Sequence, residues 1–152
     1  VMRCVSRTAR CASLYRGEKL EKLGLNGCHH TYILAICRTP GISQEQLSRT
    51  IYINKSNVTR QLTFLEQNGF VTRTPDGEDR RIMRVYPTQK ALDAYPVVLE
   101  VLEQWQDFVM EDFSPEEREE LTRLMQRVNE KAAAYAEGRL APKERREGGE
   151  VR

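Results

Sequence analysis

The chain has 152 residues, of which 39% are hydrophobic and 30% charged, and its formal net charge is +2. This composition is typical of one globular domain rich in amphipathic helices and argues against a disordered chain. Arginines interrupt every apolar stretch near the N-terminus, and no run approaches the roughly 20 apolar residues of a membrane-spanning helix, so we expect a cytoplasmic protein without a membrane partner.

Charge is distributed unevenly along the chain. Residues 1–42 contain seven basic and two acidic side chains, whereas residues 87–138 contain five basic and twelve acidic ones. A surface for a nucleic acid is therefore expected in the N-terminal and middle parts of the chain, away from the acidic fourth quarter.

Helices are predicted for the first two segments. The first covers about 3–23, is polar, and is interrupted by Gly24 and Gly27. The second covers 28–38, is strongly apolar, and is stopped by Thr39-Pro40-Gly41. We therefore expect the second helix to be buried and the first to need a partner surface.

Two closely spaced helices are predicted next. Ser43 and Gln46 fit a capping box, in which each side chain hydrogen-bonds the backbone amide of the other, so a short helix is expected to begin after Ser43. A turn at 52–54 separates it from a helix over 55–68, which Gly69 is suited to end in a left-handed conformation.

The helix over 55–68 has two distinct faces. The apolar residues Val58, Leu62 and Leu65 recur at helical spacing. The residues that point away from this stripe are polar and carry no negative charge: Ser56, Arg60, Thr63 and Gln67. An exposed face of this composition offers hydrogen-bond donors and acceptors.

A β-hairpin is predicted after this helix. Residues 70–73 and 82–86 have strand character, and Pro75-Asp76-Gly77 supplies turn chemistry between them. Helix, short helix, helix and hairpin in this order predict a winged helix-turn-helix. The fold class is therefore mainly α with a small β-hairpin wing.

Two longer helices are predicted for the C-terminal part. One covers 88–112, with Pro96 expected to kink it, and the other begins at a cap formed by Ser114-Pro115-Glu116-Glu117 and ends at Gly138. Residues 138–152 are predicted to be a disordered tail. The apolar stripes are Leu92, Tyr95, Leu99, Leu102 and Val109 in the first helix, and Leu121, Leu124, Met125, Val128, Ala132 and Tyr135 in the second.

The middle of the chain resembles the MarR family of bacterial transcription regulators. Three motifs carry the resemblance: Val58-Thr59-Arg60, Leu65-Glu66-Gln67-Asn68-Gly69-Phe70-Val71 and Pro75-Asp76-Gly77-Glu78-Asp79-Arg80-Arg81. The helix layout agrees over about 5–137. The resemblance implies a homodimer in which residues 3–27 and 88–137 form the dimerisation helices, while residues 28–87 form a DNA-binding lobe.

The partner that this resemblance implies is double-stranded DNA with a pseudo-palindromic operator. One lobe is expected in each of two successive major grooves, and the wings are expected in the flanking minor grooves. The candidate DNA-binding residues are Ser43, Lys55, Ser56, Asn57, Thr59, Arg60, Thr63, Arg73, Asp79, Arg80 and Arg81. Arg60 is a candidate for bidentate pairing with guanine. The resemblance matches Asp79 to a carboxylate that orients an arginine, with Arg81 as the minor-groove residue and Arg80 as its phosphate-binding neighbour.

The signal that controls DNA binding is less constrained. The resemblance implies a repressor that a small aromatic or anionic molecule releases from DNA, and the candidate pocket residues are Tyr15, His30, Tyr32, Cys37 and Tyr95. A thiol-based redox sensor using Cys4 or Cys11 is an alternative. A winged helix that binds only protein is a further one, although the polar face of the helix over 55–68 argues against it.

Metal binding and catalysis are not expected. Cys28, His29 and His30 are adjacent, but neighbouring helical residues diverge by about 100°, and no second pair of ligands stands at metal-binding spacing. A cysteine next to a histidine also lacks a third orienting group. We expect no cofactor, no enzymatic activity and free thiols at all four cysteines.

Overall fold

The computed structural model describes residues 1–140. Its helices and strands, in chain order, are α1 (Met2–Leu20), α2 (His29–Arg38), β1 (Ile42–Ser43), α3 (Gln44–Ile51), α4 (Lys55–Gln67), β2 (Val71–Pro75), β3 (Met83–Pro87), α5 (Gln89–Val109) and α6 (Pro115–Leu140). A short 3-10 helix, Glu21–Leu23, follows α1. The chain divides into two units: the first runs from Val1 to Asp112, and the second begins at Phe113 and contains α6.

The wing is part of a three-stranded antiparallel sheet with the order β1-β3-β2. The predicted hairpin pairs β2 with β3 from Val71 opposite Pro87 to Pro75 opposite Met83. Strand β1, which the sequence analysis missed, adds Ile42 opposite Val85. Two residues are too few to show the alternation that marks a strand, and the partner strand lies about 40 residues further along the chain.

The core of the first unit lies between α2, α3, α4, the sheet and α5. Apolar residues of each element are fully buried there, including Ile33, Leu47, Leu62, Phe70 and Val85. The burial of each such side chain contributes about 1.5–3 kcal/mol. This packing fixes α4 against the lobe through the predicted stripe, because Val58, Leu62 and Leu65 are all completely buried.

Caps set the bounds of the helices in the lobe. The Ser43 hydroxyl accepts from the Gln46 amide at 3.1 Å and the Gln46 side chain accepts from the Ser43 amide at 3.1 Å, which confirms the capping box. Gly69 has a φ of 76°, in the left-handed region where only glycine is unstrained, and it ends α4 as expected.

The buried face of α5 is centred one residue away from the stripe that the sequence analysis emphasised, although Tyr95 and Leu102 of that stripe also pack against the core. Its buried residues are Ala91, Ala94, Val98 and Val101, whereas Leu92 is 44% exposed. The helix is apolar on more than one side, so its pattern alone does not indicate which side packs within its own chain. The helix continues through Pro96 without a break.

Helix α6 is longer than predicted. Its capping box is confirmed, because the Glu117 amide donates to the Ser114 hydroxyl and the Ser114 amide donates to the Glu117 carboxylate. The helix passes Gly138, the predicted end, because a single glycine costs only about 1 kcal/mol within a helix. The predicted disordered tail therefore begins too early, and residues 141–152 lie outside the described part of the chain.

Within residues 1–140, no helix combines the length and the apolar character that crossing a bilayer requires.

Candidate nucleic-acid interface

Helix α4 exposes its N-terminal turns. Lys55, Ser56, Thr59 and Arg60 are exposed, while Asn57 is half-buried. The helix begins at a cap that the sequence analysis did not identify: the Asn54 side chain accepts from the Asn57 backbone amide at 2.9 Å. Asparagine at this position is a common cap signal, so the residue type could have revealed it. The cap and the buried stripe together hold these polar groups on a rigid element.

Asn57 and Arg60 form a pair on this face. The Arg60 Nη2 donates to Asn57 Oδ1 at 3.1 Å, one helical turn away. Thr63, the next residue of the predicted polar face, is half-buried. The exposed part of α4 therefore combines a guanidinium, an amide and hydroxyl groups, all of which can contact base edges or phosphates.

The wing holds Arg81 in the geometry that the family resemblance implied. Arg81 Nε and Nη2 each donate to one oxygen of Asp79, both at 3.0 Å, and the Arg81 side chain is 91% exposed. The hydrogen bonds from Arg81 hold the pKa of Asp79 below its ordinary value. Arg80 is also exposed. The wing thus presents two adjacent guanidinium groups, one of which is pre-oriented.

A second carboxylate shapes the wing turn. Asp76 accepts from the backbone amides of Asp79 and Glu78 at 3.1 and 2.9 Å, and from Arg84 Nε at 2.7 Å. These hydrogen bonds, those from the Asp79 amide and Arg84 foremost, lower the pKa of Asp76 to about 2. The sequence identified Asp76 only as a turn residue, because its partner Arg84 lies on the returning strand.

Arg73, a candidate DNA contact, is engaged within the protein. Its Nη2 donates to Glu66 Oε2 at 2.7 Å and to the Thr63 hydroxyl at 3.2 Å, and only 16% of the side chain is exposed. Glu66 also accepts from the Arg73 backbone amide at 3.0 Å. The hydrogen bond from Arg73 lowers the pKa of Glu66. This geometry favours a role in joining β2 to α4 over the direct DNA contact that we predicted.

A cavity of about 270 Å³ lies where the wing meets the N-terminal ends of α3 and α4. Its lining consists of Ser43, Gln44, Glu45, Lys55, Thr59, Arg81, Ile82 and Met83. Four of the predicted site residues therefore meet at a single concave surface. They are Ser43 at the start of α3, Lys55 and Thr59 of α4, and Arg81 of the wing. Ser43 contributes mainly as a cap there, because its hydroxyl is already bonded to Gln46.

Comparisons with known proteins show which family the chain belongs to. The family model described as "MarR family" matches residues 29–83, which run from the start of α2 to the start of β3. A solved MarR structure is 30% identical over 89% of this chain and 92% of its own, with a TM-score of 0.81. The chain belongs to the MarR family.

Three other transcription regulators are similar to this chain over most of its length. A MarR transcriptional regulator from Methanosarcina mazei Go1 is 27% identical over 88% of this chain and 96% of its own, with a TM-score of 0.83. The uncharacterised HTH-type transcriptional regulator YybA of Bacillus subtilis is 27% identical over 84% of this chain and 85% of its own. A Listeria monocytogenes MarR-family regulator, solved as a complex with a 26mer DNA, shares the fold at 23% identity over 95% of this chain and 97% of its own, with a TM-score of 0.83.

These findings confirm the family and the mainly α, winged helix-turn-helix fold class that the sequence predicted. As a MarR-family member, the chain is a helix-turn-helix transcription regulator. The DNA contacts of individual residues remain predictions.

The MarR-type effector residues that we predicted occupy two different surroundings. On one side Tyr15 packs against Trp105, with ring centroids 5.2 Å apart, and the Tyr95 hydroxyl accepts from Arg38 Nε at 3.1 Å. On the other, Tyr32 is completely buried, and its hydroxyl has no hydrogen-bond partner among the described residues. Burial raises the pKa of Tyr32 to about 12.

Two further candidate pocket residues are partly buried on α2. His30 Nδ1 lies 3.0 Å from the Gly27 carbonyl oxygen, and burial, together with the charge of Arg16, lowers the pKa of His30 to about 4. Burial raises the pKa of the Cys37 thiol, which makes it less reactive near neutral pH.

The remaining cysteines and histidines are separated by the fold. Cys4 and Cys11 are exposed on α1. His29 bonds Gln61, whereas the adjacent His30 bonds Gly27, so the two rings face different partners. Within residues 1–140, no three histidine, cysteine or acidic side chains converge as they would at a metal site.

Proposed function

We propose that this MarR-family regulator is a homodimeric repressor that binds a pseudo-palindromic operator in double-stranded DNA. In each subunit, α4 lies in the major groove and the wing lies in the adjacent minor groove. The observation that carries this proposal is the bidentate Asp79–Arg81 pair beside the exposed N-terminal turns of α4. An arginine held outward in this way suits the narrow, electronegative minor groove.

Individual roles follow from chemistry and exposure. Arg60 is assigned to a base edge, Arg81 to the minor groove, and Lys55 and Arg80 to phosphates. Ser56 and Thr59 supply hydroxyl contacts near the start of α4. Support comes from the Listeria monocytogenes relative, which shares this fold and was solved with DNA.

A gel-shift titration with Arg60→Ala and Arg81→Ala tests the proposal. We expect Arg60→Ala to weaken operator binding by about 1–3 kcal/mol and to relax preference at one base position. Arg81→Ala should lower affinity mainly for operators with A·T-rich flanks. Arg123→Ala is a control, since it removes an exposed guanidinium from another helix, α6. Unchanged operator affinity in both test variants would refute the DNA-reading assignment.

Release by a small aromatic or anionic effector is the second part of the proposal. The junction of α1, α2 and α5 combines aliphatic packing with the polar or polarisable groups that ligand pockets tend to contain: Tyr15, His30, Tyr32, Cys37 and Tyr95. A panel of phenolic compounds should include one that releases DNA and stabilises the free protein against heat. Linkage requires that DNA weaken the binding of that compound by the same factor.

Thiol oxidation is the competing signal, because Cys4 and Cys11 are exposed on α1. Two results together would identify thiol oxidation as the signal in place of an effector. No phenolic compound would bind, and peroxide would release DNA from the unsubstituted protein but not from Cys4→Ser or Cys11→Ser. Stabilisation by a compound that leaves DNA affinity unchanged would reduce the effector site to incidental binding.

A further inference from the structure

A completely buried histidine lies directly behind α4. The His29 ring is 0% exposed and stacks on Phe64, with ring centroids 4.8 Å apart and an interplanar angle of 20°. A buried imidazole requires hydrogen-bond partners for both ring nitrogens. Burial also lowers the pKa of His29, so the neutral ring is the form present near pH 7.

Each ring nitrogen of His29 has a defined role. The Asn26 backbone N–H donates to Nδ1 at 3.1 Å, so Nδ1 is the acceptor. A neutral imidazole then carries its proton on Nε2, which donates to Gln61 Oε1 at 3.0 Å. A backbone N–H can only donate, so the Asn26 amide fixes the tautomer of His29. The His29 tautomer in turn fixes the orientation of the Gln61 amide.

Gln61 transmits this orientation to Asn57. With its oxygen turned towards His29, Gln61 places its Nε2 3.3 Å from Asn57 Oδ1 and donates to it. Arg60 Nη2 donates to the same oxygen at 3.1 Å. A carbonyl oxygen has two lone pairs, and both are therefore occupied. Rotating the Asn57 amide by 180° would set its NH2 group against two other donors.

We propose that His29 and Gln61 are positioning residues that determine which bases Asn57 reads. The inference rests on the proposed DNA-binding function. With Oδ1 occupied, Asn57 presents only N–H donors outward. An asparagine that reads adenine uses both its oxygen and its nitrogen, whereas the major-groove edge of guanine carries two acceptors. The base position facing Asn57 therefore prefers guanine to adenine.

Binding selection from a random duplex library, followed by sequencing, tests this inference. The unsubstituted protein should disfavour adenine by roughly tenfold at one position in each half-site. Gln61→Met, which is similar in length but has no hydrogen-bonding group, should reduce this discrimination to about twofold while affinity for non-specific DNA stays the same. Gln89→Met, the same substitution at an exposed glutamine on α5, should leave every preference unchanged.

Gln61→Glu is a second variant that retains the shape of the side chain. It still accepts from His29 but cannot donate to Asn57, and its carboxylate favours the rotated Asn57 amide. With Oδ1 turned outward, Asn57 can accept from the amino group of adenine, which the major-groove edge of guanine lacks, so preference should shift from guanine towards adenine. In an Asn57→Ala background, Gln61→Met should add nothing, because both substitutions act through Asn57.

The outcomes separate this inference from the proposed function. If the unsubstituted protein selects no sequence, the proposed function fails. If it selects an operator but both Gln61 variants keep the same base preferences, or lose affinity equally for all sequences, the positioning role of His29 and Gln61 is overturned. Thermal unfolding of each variant shows whether a loss of selectivity accompanies a loss of folding.

Discussion

Arg81 shows how one residue is prepared for a partner before the partner arrives. Its guanidinium has no burial to hold it, yet two hydrogen bonds to Asp79 limit its rotation. An exposed ion pair contributes little to folding, because water and salt screen it. The value of the pair therefore lies in orientation, since a side chain already held in place loses less entropy on binding.

Asp79→Asn should lower operator affinity through Arg81. The substitution removes the negative charge and puts an NH2 donor where the second carboxylate oxygen stood, so the bidentate pairing with Arg81 is lost and we expect a loss of roughly threefold to tenfold. The change is measured by fluorescence anisotropy at constant salt. The double variant Asp79→Asn with Arg81→Ala should bind no worse than Arg81→Ala alone, and additive losses would show that Asp79 acts independently of Arg81.

His30 should make folding stability depend on pH. Its pKa is about 4 in the folded protein, against 6.5 for an unperturbed histidine, because burial and the charge of Arg16 disfavour the protonated ring. The unfolded chain therefore binds a proton first, and stability that is fully present above pH 6.5 is lost progressively as the pH falls towards 4. Urea unfolding between pH 7 and 5 measures this slope.

The matched variant is His30→Asn, whose side-chain amide can still donate to the Gly27 carbonyl. It should show a shallower loss of stability with acid. The remaining slope belongs partly to His29, whose pKa burial also lowers. An unchanged slope in His30→Asn would contradict the assignment to His30.

At the scale of elements, short helices depend on their ends. Helix α3 has only eight residues, and its capping box at Ser43 and Gln46 satisfies two backbone amides that would otherwise lack partners. Ser43 also belongs to β1, where it lies opposite Arg84 of β3. Ser43 therefore joins the sheet to the helix that precedes α4.

Ser43→Ala should destabilise the protein by about 1 kcal/mol, within the usual range of about 0.5–2 kcal/mol for a lost N-cap. The physical reason is the loss of the hydroxyl that accepts from the Gln46 amide. Urea denaturation followed by circular dichroism measures the effect. Ser43→Thr, which keeps the hydroxyl, should lie close to the unsubstituted protein, and equal stability of all three would mean that water replaces the cap.

At the scale of the whole molecule, several apolar side chains on α5 and α6 are left exposed to solvent by the single chain. The first unit leaves Leu92 and Val97 exposed on α5, and α6 has Leu124, Met125 and Val128 exposed. Exposed apolar rows of this kind usually mark an interface between proteins. They agree with the two-fold dimer that we propose through the stripes Leu92/Leu99/Leu102 and Leu121/Leu124/Val128 and the first helix.

Light scattering at micromolar concentration should give the mass of two 17.6 kDa chains, about 35 kDa. The combined variant Leu92→Glu with Val128→Glu should shift the protein to monomer, because it places charge in the proposed interface, and should weaken binding to a two-half-site operator. A chain ending after Leu140 should remain a dimer. A monomeric unsubstituted protein would refute the dimer.

Sequence alone determined the features that depend on near neighbours in the chain. The stripe of Val58, Leu62 and Leu65, the capping box at Ser43 and the left-handed Gly69 are each confirmed, because helical period, caps and turns depend on residues within one or two turns. The pair of Asp79 and Arg81, which the family resemblance implied, is also local, since its two members are two residues apart.

Only the tertiary structure decided the features that join distant segments. Strand β1, the face of α5 that packs inward, the Arg73–Glu66 pair and the chain from His29 through Gln61 to Asn57 all require partners that the sequence pattern does not name. A polar side chain can pair with many others, and an apolar helix face can pack on many surfaces. The choice among them is made by the geometry that buries the whole core, and that geometry is a property of the complete fold.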